Sequence, residues 1–337
     1  MTLQDKFERP LRDLRISVTD RCNFRCTYCM PAEIFGEHYE FLKKEQILSF
    51  EEITRLVKII VRLGAVKLRL TGGEPLVRQQ LETLVGQLSA LDGVEDIAMT
   101  TNAKLLTPAK AAALRQAGLQ RITVSLDTLD NDVFQQMNGN RATVDDVLRG
   151  IQAAEDAELG PIKINTVVQK GVNDHTLVDL AAFCRERGYI PRFIEYMDVG
   201  TRNDWDMQYV VPAKEIVQRI HAAFPLEPIA SNYYGEVANR FRYQDGQGEI
   251  GMITSVTQPF CGSCTRMRMS PEGQIYTCLF ATSGTDLKTP LRDGATDSEL
   301  EQIVRDTWGH RIDRYSEERG EGTAPSGEKI EMYYIGG

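Results

Sequence analysis

The chain of 337 residues has no long apolar run. Its most hydrophobic stretch, Leu56 to Val66, is broken by Lys58 and Arg62 and falls far short of the roughly 20 residues that span a bilayer. No membrane segment or lipid anchor is expected. The chain also lacks a basic surplus: 39 Lys and Arg stand against 48 Asp and Glu, a formal charge of -9, which argues against a general nucleic-acid binder. One anionic ligand in a locally basic pocket is still compatible with that balance. Internal repeats and low-complexity tracts are missing, although the polar, glycine-rich stretch Ser316 to Lys329 is expected to be mobile. The opening residues Met1-Thr2-Leu3-Gln4 show no basic, apolar, small-residue signal pattern, which leads to the expectation of a reducing, cytoplasmic setting.

Cysteine is scarce, and its placement is the most informative feature. Of seven cysteines, six fall into two sets of three. Cys22-Asn23-Phe24-Arg25-Cys26-Thr27-Tyr28-Cys29 follows a strand-like Leu14 to Val18 and has the spacing C-x3-C-x2-C. A closed structural zinc or iron-sulfur site takes four protein ligands, so three thiolates on one tight loop leave a position for something else. Cys261-Gly262-Ser263-Cys264 with Cys278 is again one short. In a reducing setting both sets read as metal ligands rather than disulfides. On spacing alone, a zinc site completed by a distant ligand such as His38 stays open. Cys184, on an amphipathic helical pattern, reads as a small buried apolar residue.

Short β-branched runs alternate with helical patterns through the first part of the chain. Strands are expected at Leu14 to Val18, Val66 to Leu70, Ile97 to Thr100, Ile122 to Ser125, Ile162 to Val168 and Arg192 to Tyr196. Ser49 with Glu52 announces a helix by a capping box, followed by Ile53, Leu56, Val57 and Ile60 on one face. Strands joined by such helices run parallel. Six units fall short of the eight that close a full barrel, so the expected fold is α/β, an open partial (β/α)6 TIM-like barrel. After about Phe224 the pattern changes: Pro225, Pro228 and Gly235 break helices, and Phe241 to Tyr243, Ile250 to Ile253 and Met267 to Met269 read as strands. The turn Ser270-Pro271-Glu272-Gly273 before Gln274-Ile275-Tyr276 reads as a hairpin bringing Cys278 toward Cys264. The expected division is therefore 1–225 for the partial barrel and 226–337 for a smaller C-terminal α+β region carrying the second triad.

In a parallel α/β domain the working residues sit at the carboxyl ends of the strands. Cys22, Cys26 and Cys29 follow the first strand and Thr71-Gly72-Gly73-Glu74-Pro75 the second. Two glycines permit close backbone approach, and Glu74 with free carbonyls can accept hydrogen bonds from an amine. Taken alone, that segment is also compatible with an ordinary strand-to-helix turn. Thr100-Thr101-Asn102 and Ser125-Leu126-Asp127 end the third and fourth strands at the same mouth.

These residues together carry a resemblance. C-x3-C-x2-C with Tyr28 before its last cysteine, joined to Gly72-Gly73-Glu74-Pro75, is similar to the radical S-adenosylmethionine enzymes. With Cys261, Cys264 and Cys278, Thr265-Arg266-Met267-Arg268 and a terminal Gly336-Gly337, the chain from about Leu11 to its end resembles the GTP 3′,8-cyclase family of molybdenum cofactor biosynthesis. The resemblance implies two 4Fe-4S clusters. Cys22, Cys26 and Cys29 would hold three irons of the first while S-adenosylmethionine chelates the fourth, yielding a 5′-deoxyadenosyl radical on reduction. Tyr28, Gly73, Ser125 and Met197, with Glu74 beside them, would border that cofactor. The second triad would hold a cluster that meets the guanine of GTP.

The resemblance further implies GTP as substrate, held by Arg15, Arg69, Thr101, Lys163, Arg192, Arg266 and Arg268, since guanidinium forks grip phosphate oxygens bidentately. Arg15, Arg266, Arg268, Gly336 and Gly337 would serve the radical step itself, the glycine tail threading the barrel mouth. An external one-electron donor is implied as partner; nucleic acid and membrane are not, and a homodimer is compatible with the sequence without being dictated by it. Two rival readings are a peptide-modifying radical enzyme, whose auxiliary domain usually carries more cysteines, and a zinc-stabilised binding module with two structural sites.

Overall fold

The computed structural model describes residues 2–319 and 327–336, so Gly337 and part of the stretch expected to be mobile lie outside the described residues. Six parallel strands, β1 (Asp13–Ser17), β2 (Lys67–Thr71), β3 (Asp96–Thr101), β4 (Arg121–Ser125), β5 (Lys163–Val168) and β6 (Ile190–Glu195), form the centre of the sheet in that order. They lie within one or two residues of their expected bounds. The helices between them are α1 (Phe50–Arg62), α2 (Leu81–Ser89), α3 (Pro108–Ala117), α4 (Asn131–Asn138), α5 (Val144–Asp156) and α6 (Leu177–Arg187).

Local chemistry accounts for these elements. Ser49 Oγ accepts from the Glu52 amide while Glu52 accepts from the Ser49 amide at 2.7 Å, the expected capping box at the start of α1. Ile53, Leu56, Val57 and Ile60 of α1 are buried against the sheet, each worth about 1.5–3 kcal/mol of apolar burial. Thr143 and Asp146 cap α5 in the same way. The alternation of the strands sorts their faces: Leu14, Ile16, Leu68 and Leu70 enter the apolar core under the helices. Arg15 and Arg69, paired in register, point from β1 and β2 to the opposite, concave face.

Both edges of this parallel core are extended by the C-terminal part of the chain. After α7 (Ala213–Ala223), strands β7 (Leu226–Ile229), β8 (Asn239–Tyr243) and β9 (Glu249–Ile253) form an antiparallel meander, and β9 runs parallel to β6. Then β10 (Arg266–Met269) joins the other edge parallel to β1, with β11 (Gln274–Tyr276) and β12 (Thr285–Asp286) completing an antiparallel ribbon. One sheet of order β12-β11-β10-β1-β2-β3-β4-β5-β6-β9-β8-β7 results, open at both ends. The expected α+β region is thus present, including the hairpin after Met269, yet it shares a continuous hydrogen-bonded sheet with the partial barrel rather than forming a sheet of its own. Covering the edges of β1 and β6 pairs backbone groups that would otherwise stand open.

The remaining helices are α8 (Lys288–Arg292), α9 (Asp297–Gly309), α10 (Tyr315–Glu318) and α11 (Met332–Ile335). Among the described residues no helix is long and apolar enough to cross a membrane.

Candidate functional site

The first triad sits on the loop after β1, and its shape is imposed from three sides. Cys29 and Met30 amides turn back to the Cys26 carbonyl at 3.0 and 2.8 Å, while Arg25 and Thr27 amides donate to Asn138 and Met137 carbonyls. The Arg25 guanidinium ties the loop together by donating to the carbonyls of Cys22, Phe24 and Phe35 at 2.8, 2.7 and 2.6 Å. Around the sulfurs, the Phe24 amide lies 3.4 Å from Cys22 Sγ and Asn102 Nδ2 lies 3.9 Å from it. Burial, reinforced by Glu74, pushes the Cys22 thiol up to about 12. Burial also holds the Cys26 and Cys29 thiols high, with the neighbouring cysteine charges adding to it.

All seven cysteines are free thiols. Three thiolates in such a setting need a strongly cationic partner, which is what an iron cluster provides. Among the described residues no group of three or more His, Cys, Asp or Glu is placed to hold a single metal ion. A cluster binds each thiolate to a different iron, so its ligands need not converge on one point. The donor set therefore fits the cluster expected from the sequence.

Gly72 and Gly73 serve the approach of this loop to the turn after β2. A Cβ on Gly72 would lie 2.6 Å from the Thr19 carbonyl, and one on Gly73 would lie 2.4 Å from that of Arg21. Their amides complete the junction, Gly73 donating to Thr19 and Glu74 to Arg21, both at 2.8 Å. The Glu74 carboxylate is engaged within the protein, Oε1 accepting from Thr101 Oγ1 at 2.6 Å and the Leu76 amide at 3.0 Å, Oε2 from the Asn102 amide at 2.7 Å. It binds the ends of β2 and β3 together. Burial raises its carboxyl from 4.5 to about 7 despite those three donors.

Thr101, expected on the substrate, donates to Glu74 Oε1 at 2.6 Å, and its neighbour Thr100 lines the cavity and accepts from Arg69 Nη1 at 3.1 Å. The Tyr28 hydroxyl, packed beside Cys26 and Cys29, donates to Asp127 Oδ2 at 2.9 Å. Ser125 ends β4 two residues before that aspartate.

On the concave face lies a cavity of about 150 Å³ in which the structure gathers Arg15, Arg69, Arg192, Arg266, Arg268 and Met197 with Cys261, Cys264 and Cys278. Lys163 stands just behind it, where burial followed by the charges of Arg192, Arg121 and Arg69 brings its ammonium down to about 8. Arg192 is lowered to about 9 by burial and Arg69, and Arg268 to about 10 by burial and Arg266. Arg15 is held well below its usual value by burial and by Arg268, Arg69 and Arg266. Cations crowded together against burial and mutual repulsion mark a site for an anion.

Two residues at this pocket, Thr123 behind its arginines and Arg121 in its lining, were not singled out in the sequence, and Thr100 was named there only as part of Thr100-Thr101-Asn102. Thr123 Oγ1 accepts from Arg69 Nη1 and Arg192 Nη2, both at 3.2 Å, and so brackets two guanidiniums. Thr100 holds Arg69 from the other side, and Arg121 is paired with Asp96 at the floor. Their period-two placement on β3 and β4 was the only available signal.

The second triad closes the cavity. Cys261 and Cys264 flank a single turn whose Cys264 amide returns to the Cys261 carbonyl at 3.2 Å, and the Phe280 amide donates to Cys278 Sγ at 3.4 Å. Burial would raise Cys264, but Arg266, 3.0 Å from its sulfur, together with Arg311 brings it down to about 6. Cys278 is pushed up to about 12 by burial and Asp313.

The tail enters from the opposite rim. Glu331 accepts from the Thr201 amide and hydroxyl at 3.0 and 3.1 Å, Tyr333 meets the Tyr39 hydroxyl at 2.8 Å, and Tyr334 donates to Glu272. Gly336 then lies against Thr71, its carbonyl accepting from Arg268 Nη1.

Comparison with known proteins agrees with this geometry. Residues 16–184 match the Radical SAM superfamily and residues 190–317 match Molybdenum Cofactor Synthesis C. The chain is 50% identical over 359 residues to a GTP 3′,8-cyclase of Acidothermus cellulolyticus, covering 99% of each chain. It is 49% identical over 335 residues to one of Xanthomonas campestris pv. campestris, covering 99% of this chain and 97% of that one. Among solved structures, Streptococcus suis SuiB bound to S-adenosylmethionine shares the fold with a TM-score of 0.63 at 14% identity, over 96% of this chain and 76% of the other.

Proposed function

Because this chain belongs to the GTP 3′,8-cyclases, radical S-adenosylmethionine enzymes, we propose which of its residues hold each partner in the reaction. The enzyme converts GTP to (8S)-3′,8-cyclo-7,8-dihydroguanosine 5′-triphosphate, the first step of molybdenum cofactor biosynthesis, and works with an iron-sulfur cluster and S-adenosylmethionine. In our reading Cys22, Cys26 and Cys29 would hold a 4Fe-4S cluster, with S-adenosylmethionine bound beside it. Tyr28, Gly73, Ser125 and Met197 border that cofactor, and Glu74 acts one step back by fixing the turn that carries Gly73. Together the reduced cluster and S-adenosylmethionine supply one-electron sulfonium cleavage, and through it the abstraction of hydrogen from C3′ of the ribose.

The rest of the work falls to the chain's own groups. Arg15, Arg69, Lys163, Arg192, Arg266 and Arg268 grip the triphosphate, whose negative charge relieves their mutual repulsion, with Thr101 beside them and Thr100 holding Arg69. Cys261, Cys264 and Cys278 would hold a second 4Fe-4S cluster, which would supply a site for the guanine and so keep C8 near C3′. Gly336, on Arg268, and Gly337 beyond it help orient the reacting ribose. Functionally, 1–225 carries the cofactor and 226–337 the second triad and tail. The reading includes an external one-electron donor, a cytoplasmic setting that keeps the thiols reduced, and room for a homodimer.

The observation that carries this assignment is one cavity lined by seven arginines, Met197 and all three cysteines of the second triad. Anaerobic incubation with GTP deuterated at C3′, S-adenosylmethionine and a reductant tests it. Deuterium should appear in 5′-deoxyadenosine together with cyclised product, and alanine at Arg69 or Arg192 should raise KM for GTP. Wild-type KM in both variants would remove the triphosphate assignment.

A further inference from the structure

The second triad is gripped by the first few residues of the chain. The Leu3 amide donates to the Leu63 carbonyl and the Leu11 amide to Leu3, both at 2.9 Å, and Gln4 pairs with Pro10, so residues 3–11 form a small hook. Inside it lie Asp5 and Arg9, whose side chains are wholly buried and joined by Arg9 Nε to Asp5 Oδ2 at 2.6 Å. Arg9 Nη1 donates onward to the carbonyls of Cys261 and Asp313, each at 2.9 Å. The same Asp5 oxygen faces Arg311 Nη1 at 3.4 Å, and that nitrogen donates to the Cys264 carbonyl at 2.8 Å. Arg311 is buried over the Trp308 ring, and Trp308 Nε1 closes the circuit on the Arg9 carbonyl at 3.2 Å.

One buried carboxylate thus orients two guanidiniums, and each guanidinium holds the backbone of one cysteine in the C-x2-C turn. Stability alone is a weak explanation. A buried ionic triad is commonly no better than well-packed apolar side chains, and this one leaves Arg9 Nη2 without a partner. Its formal charges balance, Arg9 and Arg311 against Asp5 and Asp313, but they are not placed evenly: the buried Arg311 guanidinium lies on the Cys264 carbonyl at 2.8 Å, while Asp313, 3.4 Å from Arg311, is partly exposed and so partly screened. Positive charge and hydrogen bonding around cluster ligands favour the reduced form, which carries the extra negative charge.

We infer that Arg311, aimed by Asp5 and Arg9, is a positioning residue of the second triad that fixes the Cys261–Cys264 turn and raises the reduction potential of the cluster bound there. This rests on the proposed second cluster. The test uses the full chain with Cys22, Cys26 and Cys29 all replaced by alanine, reconstituted anaerobically with iron and sulfide. That background should carry a 4Fe-4S cluster with an electron paramagnetic resonance signal when reduced; if it binds none, the second-cluster reading falls and this inference with it. Given the cluster, R311M should retain iron while its midpoint potential moves to more negative values. R311K, which keeps the charge but cannot serve Asp5 and the Cys264 carbonyl together, should change the resonance line shape with a smaller shift in potential. Background potential in R311M at full iron loading overturns the inference. Should R311M lose its cooperative unfolding transition, R311K decides, and an unchanged potential and spectrum there overturn it equally.

Discussion

Replacing Gly336 by alanine probes the tail at the point where it meets the pocket. Its backbone has φ +73, a left-handed conformation that costs an L-residue about 1–2 kcal/mol. A Cβ would also stand 2.2 Å from Thr71 Cγ2. Thr71 is buried at the end of β2 and cannot swing aside, so the tail must move instead. Movement releases the Gly336 carbonyl from Arg268, a charge-assisted hydrogen bond worth about 1.5–3 kcal/mol. Together these terms weaken docking by about 2.5–5 kcal/mol, roughly a 60- to 4,000-fold shift toward an undocked tail. Anaerobic turnover should then show 3′,8-cyclisation falling by about that factor, while iron content, GTP affinity and uncoupled release of 5′-deoxyadenosine persist. The pair T71S with G336A separates the causes: serine removes Cγ2, so the overlap disappears while the φ penalty stays, and activity should recover in part. Wild-type cyclisation by G336A alone would refute the reasoning.

Alanine at Cys22, Cys26 or Cys29 should abolish reductive cleavage of S-adenosylmethionine, whereas alanine at Cys261, Cys264 or Cys278 should leave some uncoupled cleavage and lose cyclised product; 5′-deoxyadenosine release by the first group would refute the assignment. Thr123→Val removes the acceptor shared by Arg69 and Arg192 and should weaken GTP binding about tenfold or more in calorimetric titration, with S-adenosylmethionine binding unchanged. Glu74 titrates near 7 in the folded chain against an ordinary 4.5, so its contribution to stability is complete below about pH 4.5 and is lost as pH rises through 7. Glu74→Gln should remove up to ~3 kcal/mol of that pH dependence, visible as flatter unfolding midpoints of the anaerobic holoenzyme from pH 5 to 8; an unchanged slope would show that Glu74 titrates normally. Leu56→Ala should cost about 2–5 kcal/mol by opening a cavity under α1, and a loss below 1 kcal/mol in denaturant titration would contradict the packing described.

Much of the fold was legible because its signals are local. Ser49 and Glu52 lie three residues apart and cap a helix whose apolar face repeats every turn, and each central strand announces itself by β-branched residues between helices. The cysteine triads were legible for the same reason, since ligand spacing within a loop is written in consecutive residues. What spacing along the chain did not show was which face or partner a residue takes. Thr100 and Thr101 are adjacent and chemically equal, and only the register of β3 against β2 and β4 decides which one meets Arg69 and which one meets Glu74. Glu74 looked available because its three donors, Leu76, Thr101 and Asn102, come partly from the next strand.

The sequence by itself determined the element order, the parallel core, two incomplete cysteine sets and an excess of arginine on strands of an acidic chain. Tertiary structure alone decided that β10 would lie beside β1 and β9 beside β6, because edge pairing depends on hydrogen bonds between segments some 250 residues and some 60 residues apart. That pairing sets Arg268 in register with Arg15, and so brings the second triad and the cations to one cavity, with the tail resting on Arg268. It also let Asp5 and Arg9 reach Cys261 and Arg311, a contact for which the sequence offers no periodicity, since ion pairs in a core are selected by distance in space and leave no trace in spacing along the chain.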